Sequence, residues 1–304
     1  MSSLVSSPVR GRGFRGTRPA VSVDELKRAW QAVQAGDFRR SAHRPVRRTL
    51  SRVSSDPEAR AVWTPADRER VVPIIGAAGH VGTSTVALAL ALACDGPTRV
   101  VECCSVSASG LAGASTSELG LDATGWRQGK RGCVLLERTS ELFGSVEDLP
   151  EPTRAEHDDQ LTILDIGWDA SQLAIGRGWL TATVQRSAVL IVVTAASIPG
   201  FRRLEAALEL LTASAVPTAT TTPGLPPALG RVVLVVVGPP RRKWAGGVEQ
   251  SGGNAVRDLM EAGRLVEVPY LRGLAATGLD SRPFPDALTR TAARLVPLID
   301  LPAT

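Results

Sequence analysis

The run Val189-Leu190-Ile191-Val192-Val193 holds five consecutive apolar residues with no polar position among them. A strand with one wet face alternates, so an unbroken run of this kind belongs to a strand buried on both faces, with helices covering the sheet on either side. Largely apolar runs, several carrying a polar or charged residue, make further candidate strands at 71–76, 98–104, 132–137, 161–166, 231–238 and 264–268. Helix-like segments stand between or after them at 85–94, 172–185, 200–214, 253–262 and 284–299. Strand and helix in alternation predict an α/β fold, a parallel sheet of about seven strands flanked by helices. The segment 213–230, dense in Thr and Pro, reads as a long loop or insertion, and no internal repeat is visible.

The chain of 304 residues, 43% hydrophobic, is long enough for one large core or two small ones. Its net charge of +5 is unevenly placed. Arg10, Arg12, Arg15, Arg18, Arg39, Arg40, Arg44, Arg47, Arg48 and Arg52 crowd the first part of the chain. The expected organisation is therefore a basic, largely irregular N-terminal arm over 1–62 and an α/β domain over 63–304. Within the arm, Ser22 and Glu25 form a capping box, and Leu26, Trp30 and Val33 recur at helical spacing before Gly36, which predicts one short amphipathic helix near 22–36. That helix docks on the main domain or on a partner. Residues 37–62 read as a linker. The arm suits an anionic partner, whether nucleic acid, membrane surface or acidic protein, and reads equally well as a solvated tail. With few aromatics it is not a single-strand stacking platform.

Other classes are set aside on composition. Cys94, Cys103, Cys104 and Cys133 have no C-x-x-C spacing and sit in or beside apolar runs, so buried thiols in a reducing compartment are expected, and they form no metal set with His43, His80 and His157. The N-terminus is basic without an apolar stretch, and the longest apolar runs, 86–94 and 188–196, are too short to span a bilayer. A cytoplasmic protein is expected. Only three lysines stand against many arginines, a bias of GC-rich bacterial genomes.

The apolar run 71–75 leads into Gly76-Ala77-Ala78-Gly79-His80-Val81-Gly82-Thr83-Ser84-Thr85, and a helical run follows. Strand, glycine loop and helix N-terminus form a phosphate-binding loop, because successive backbone N–H groups and the helix end point at one place. Against G-x-x-x-x-G-K-[ST], Gly82 is the last glycine, Ser84 the magnesium-ligating hydroxyl and Ala77 replaces the first glycine. Thr83 stands where the lysine belongs. Losing one charge-assisted contact costs about 1.5–3 kcal/mol, a ten- to hundredfold weakening that binding can survive and efficient phosphoryl transfer cannot. Further on, Leu161-Thr162-Ile163-Leu164-Asp165-Ile166-Gly167 closes an apolar strand with an aspartate, the arrangement that holds magnesium opposite such a loop.

These elements resemble, over roughly 70–300, the ParA/MinD class of P-loop ATPases. Their loop K-G-G-x-G-K-[ST]-[ST] stands in register with residues 78–85, matching Gly79, Gly82, Ser84 and Thr85 and lacking both lysines, at Ala78 and Thr83. Val100-Val101-Glu102 resembles the second strand that ends in an acid, and 266–279 the late strand and loop that pass near the base. The resemblance implies ATP and magnesium as cofactors, with Gly79, His80, Val81, Gly82, Thr83, Ser84 and Thr85 around the nucleotide and Ser84 and Asp165 on the metal. Cys104 occupies the place of the family's switch aspartate, and Gly238-Pro239-Pro240 that of the strand end that reads adenine. Trp168 and Trp179 fall near the family's dimer face, with core packing the alternative.

Loops ending in similar residues occur in the CpaE/TadZ branch, which positions pilus and secretion machinery. The chain resembles that branch or an uncharacterised bacterial relative of it. Loss of both lysines and the switch aspartate implies a degenerate member with weak or absent hydrolysis, a positioning or scaffold component of a secretion, pilus or DNA-transfer system. No catalytic residue is assigned. Its partner is a protein bound through the arm or the helix at 22–36, with DNA and a homodimer as further expectations. Two other readings stay open: a nucleic-acid-binding protein using the arm, and a slow ATPase with a replacement cation from Lys130, Arg241, Arg242 or Lys243.

Overall fold

Each of the seven apolar runs forms a parallel strand, and two further strands extend the sheet. In a computed structural model, residues 63–216 and 225–299 are described, all within the unit Ala61–Thr304. The arm, its expected helix at 22–36 and the linker lie outside the described residues, as does 217–224 of the Thr- and Pro-rich segment. The strands are β1 (Arg70–Gly76), β2 (Thr98–Cys103), β3 (Ser117–Leu121), β4 (Arg127–Arg131), β5 (Val134–Arg138), β6 (Leu161–Ile166), β7 (Leu190–Ala195), β8 (Val232–Gly238) and β9 (Leu265–Pro269). Their order is β3-β4-β5-β2-β6-β1-β7-β8-β9.

The pattern that predicted two covered faces is visible in the packing. Ile74, Val100 and Ile163 enter one apolar layer, while their neighbours Ile75, Val101 and Leu164 enter the other. All six are fully buried. On the first face lies α1 (Thr83–Ala93), apolar on every side because the sheet and the later helix Asp286–Ala293 enclose it. The opposite face is covered by α2 (Ala170–Ile175), α3 (Trp179–Arg186), α4 (Ile198–Ala213) and α5 (Asn254–Glu261). Then α6 (Arg272–Thr277) and α7 (Asp286–Ala293) follow β9.

Several expectations need correction. The segment 126–132, read as a loop carrying Lys130, is strand β4, antiparallel to β5, with Lys130 opposite Leu135. Strand β3 pairs antiparallel on its far side. Arg-Gln-Gly-Lys-Arg has no apolar run to announce it. The single helix expected at 172–185 is two, broken where Gly176 presses on Val146 and Gly178 takes φ 95°. The one expected at 284–299 stops at Ala293, and a separate turn, Val296–Ile299, contains Pro297, which has no N–H to carry the helix on. Cys94, Cys103 and Cys104 are buried as expected, but Cys133 is exposed on the β4–β5 turn.

At the amino ends of the strands, Arg99 is buried in a polar knot. It donates to Glu69 (2.8 Å), Glu137 (3.1 Å), Thr162 Oγ1 (2.7 Å) and the Thr153 carbonyl (2.8 Å). This charge cluster ties β2, β5 and β6 together, and none of Glu69, Arg99 and Glu137 lines the cleft described below. No helix among the described residues is long and apolar enough to cross a membrane.

Candidate functional site

From β1 the chain turns first to β2 and β5 on one side, and later to β7, β8 and β9 on the other. In open α/β sheets such a reversal opens a crevice at the carboxyl ends of the strands. Here it is a cleft of ≈ 1000 Å³ whose floor is the β1–α1 loop. All seven residues expected at the nucleotide, Gly79 to Thr85, line it, as does Asp165.

The loop is shaped by two glycines. A Cβ on Gly76 would fall 2.7 Å from Thr83 Oγ1 and 2.8 Å from the Ala78 carbonyl, and Gly82 takes φ 96°. Gly79 has open space around it, so its missing side chain leaves room for a ligand rather than for the fold. His80 adopts φ 60°, a left-handed conformation that suits glycine better, and its side chain is exposed. Among the described residues, nothing accepts from the backbone N–H groups of residues 78–85. No side chain caps α1, and its first turn has no acid. A row of free donors at the positive end of a helix is an anion site in waiting.

Beside it, the Ser84 hydroxyl is close enough to the Asp165 carboxyl to favour its charged form. Asp165 is buried, and burial, then the charge of Glu102, push its pKa up to about 7, while Ser84 opposes the shift. A hydroxyl and a carboxylate at this spot are hard oxygen donors, the chemistry magnesium prefers. Among the described residues no set of three or more His, Cys, Asp or Glu forms a metal site by itself. Water and phosphate oxygens would have to complete the shell.

Sequence reasoning missed the loop that closes this corner. The Glu102 carboxylate accepts from the Gly110 N–H (2.6 Å), the Leu111 N–H (2.8 Å) and Ser109 Oγ (2.8 Å). So held, the loop lies on Ser84, where a Cβ at Gly110 would come 2.8 Å from Ser84 Oγ. Burial raises the pKa of Glu102, and these hydrogen bonds pull it back. The signal was Ser105-Val106-Ser107-Ala108-Ser109-Gly110, small turn-forming residues directly after a strand. Cys104 lines the cleft and touches the chain at Gly167, where a Cβ would sit 2.6 Å from Cys104 Cβ. The opposite wall is the end of β9 and the segment after it, with Pro269, Tyr270, Leu271, Leu274 and Leu279. Tyr270 is 58% exposed.

No Lys or Arg is among the described residues that line the cleft. Lys130 is on β4, Arg241 is paired with Glu249 at 2.6 Å, and neither Arg242 nor Lys243 reaches the lining. Trp168 and Trp179 are buried in the core, where Trp179 Nε1 donates to the Leu149 carbonyl at 3.0 Å.

No family model matches the sequence, and no curated protein matches it. Among solved structures, the chain is similar to a ParA family ATPase from Chlorobium tepidum TLS, with 15% identity, 76% of this chain and 99% of that one covered, and a TM-score of 0.44. It is similar to the MinD cell division protein of Aquifex aeolicus at 15% identity, covering 75% and 97%, with a TM-score of 0.42. A Cyanothece McdA–ATP complex gives 11%, 78% and 98%, and 0.43. The chain is similar to ParA/MinD-type ATPases in fold. At these identities the likeness brings no ligand, partner or activity with it.

Proposed function

We propose that this chain is a degenerate ParA/MinD-like protein that holds ATP with magnesium and hydrolyses it weakly or not at all. The observation that carries the reading is the cleft itself: a loop of free N–H groups on a helix end, with no Lys or Arg among its described lining residues. The N–H groups of 78–85 hold the phosphates, Ser84 and Asp165 hold the metal, and Gly79 leaves room for the ligand. No Lys or Arg among the described lining residues adds a side-chain cation against the charge that develops on a transferred phosphoryl group, and such a cation is a large part of what catalysis of the transfer needs. Cys104, in place of the switch aspartate, is buried and its pKa is raised, so it does not act as a base.

A protein that holds nucleotide without turnover serves as a positioning or scaffold component, as the likeness of its loop to the CpaE/TadZ branch suggests. Its partner is expected on the basic arm 1–62 or the helix at 22–36, with DNA or a second copy as further candidates. Calorimetry of the full chain with ATP, ADP and GTP, with and without magnesium, tests the reading. Binding at micromolar to millimolar strength, with turnover at background, supports it. Absence of heat at millimolar nucleotide refutes it, and turnover lost in Asp165→Ala would favour a slow ATPase.

A further inference from the structure

The two walls of the cleft are separate stretches of chain, residues 107–110 on one side and 274–279 on the other. Just behind the lining they meet. At Gly113 a Cβ would fall 2.7 Å from the Leu279 carbonyl, so the backbones touch there and leave no room for a side chain. Spanning the seam from beneath is Arg131, at the end of β4 and only 5% exposed. Its Nη1 donates to the Ala114 carbonyl (3.3 Å) on the first wall and to the Asp280 carbonyl on the second. Its Nη2 donates to the Arg282 carbonyl at 2.5 Å, and its guanidinium lies 4.5 Å from the centre of the Phe284 ring. A planar fork with fixed donors is suited to holding several carbonyls at set spacing, which a lysine cannot do.

We propose that Arg131 is a positioning residue: it staples the two walls together and so sets the width of the cleft in which ligand is held. Strands β3 and β4 then have a purpose in the fold, since they place a guanidinium under a seam that the parallel strands cannot reach. Pre-set walls lower the ordering that a ligand must impose on binding. Only the identity of that ligand rests on the nucleotide reading above.

The test uses the full chain. In Arg131→Met, hydrogen exchange over 106–116 and over 278–284 rises together while β1 and β6 stay protected, and ATP binding weakens about tenfold. Gly113→Ala pushes the same walls apart with Arg131 intact and gives the same paired response, which covers the case in which Arg131→Met does not fold. Arg231→Met, which removes an equally buried arginine bonded to carbonyls near the end of α3, lowers the melting temperature without pairing those two segments. Exchange that stays at the wild-type level, or rises in one segment alone, in the folded variants overturns the staple. If the wild type takes no nucleotide, the nucleotide reading falls, and the exchange measurement still decides the staple.

Discussion

Glu102 and Asp165 stand opposite one another on adjacent parallel strands, both buried, with the Glu102 charge raising the pKa of Asp165. Two acids side by side at the carboxyl ends of β2 and β6 cannot both ionise cheaply. They are kept apart in role by their partners. Glu102 spends its oxygens on Ser109 Oγ and the Gly110 and Leu111 N–H groups, while Asp165 faces the cleft beside Ser84.

Stability should therefore fall as pH rises. Asp165 titrates near 7 in the folded protein against its ordinary value of 3.8, so between these the folded chain keeps a proton that the unfolded chain has lost. The stabilisation is complete below about pH 4 and lost as pH rises through about 7. Urea unfolding of the wild type should lose on the order of a few kcal/mol between pH 5 and pH 8. Asp165→Asn should flatten that slope, and parallel slopes for the two proteins would refute the assignment.

Thr83→Lys restores a cation to the loop. The added charge should tighten ATP binding by about tenfold or more, since a charged hydrogen bond contributes about 1.5–3 kcal/mol. Calorimetry reads it directly. Unchanged affinity would mean that the phosphates do not pass Thr83.

Gly167→Ala should destabilise the fold by about 1–3 kcal/mol, because the new Cβ meets Cys104 Cβ at 2.6 Å. The contact is carbon to carbon, so adding Cys104→Ala should not relieve it, whereas Cys104→Gly should. Chemical denaturation of the single and double variants decides between a clash and a thiol effect.

Arg99→Met should cost about 3–5 kcal/mol, since Glu69 and Glu137 are left as buried charges without their partner. None of these three residues lines the cleft, so ATP affinity of the variant that remains folded should match the wild type.

What was legible in the sequence was whatever had an unbroken apolar run or a constrained loop. Runs such as 189–193 announced the parallel strands because burial on both faces leaves no polar position. Gly76, Gly82, Ser84 and Asp165 announced the cleft because phosphate and metal chemistry need particular residues at fixed places. Strands β3 and β4 were hidden because an outer ribbon is built from Arg, Gln, Lys and Glu, the same residues a loop uses. The Glu102 latch was hidden for a different reason: its partners at 109–111 are mostly backbone N–H groups, and these have no letter in the sequence.

The turn that joins β4 to β5 has a practical consequence. Of the chain's four thiols, Cys94, Cys103 and Cys104 are buried, and Cys133 is exposed two residues beyond Arg131. A thiol reagent added to the native protein labels one position, and unfolding exposes three more, so the stoichiometry of labelling counts folded molecules without any reporter being engineered.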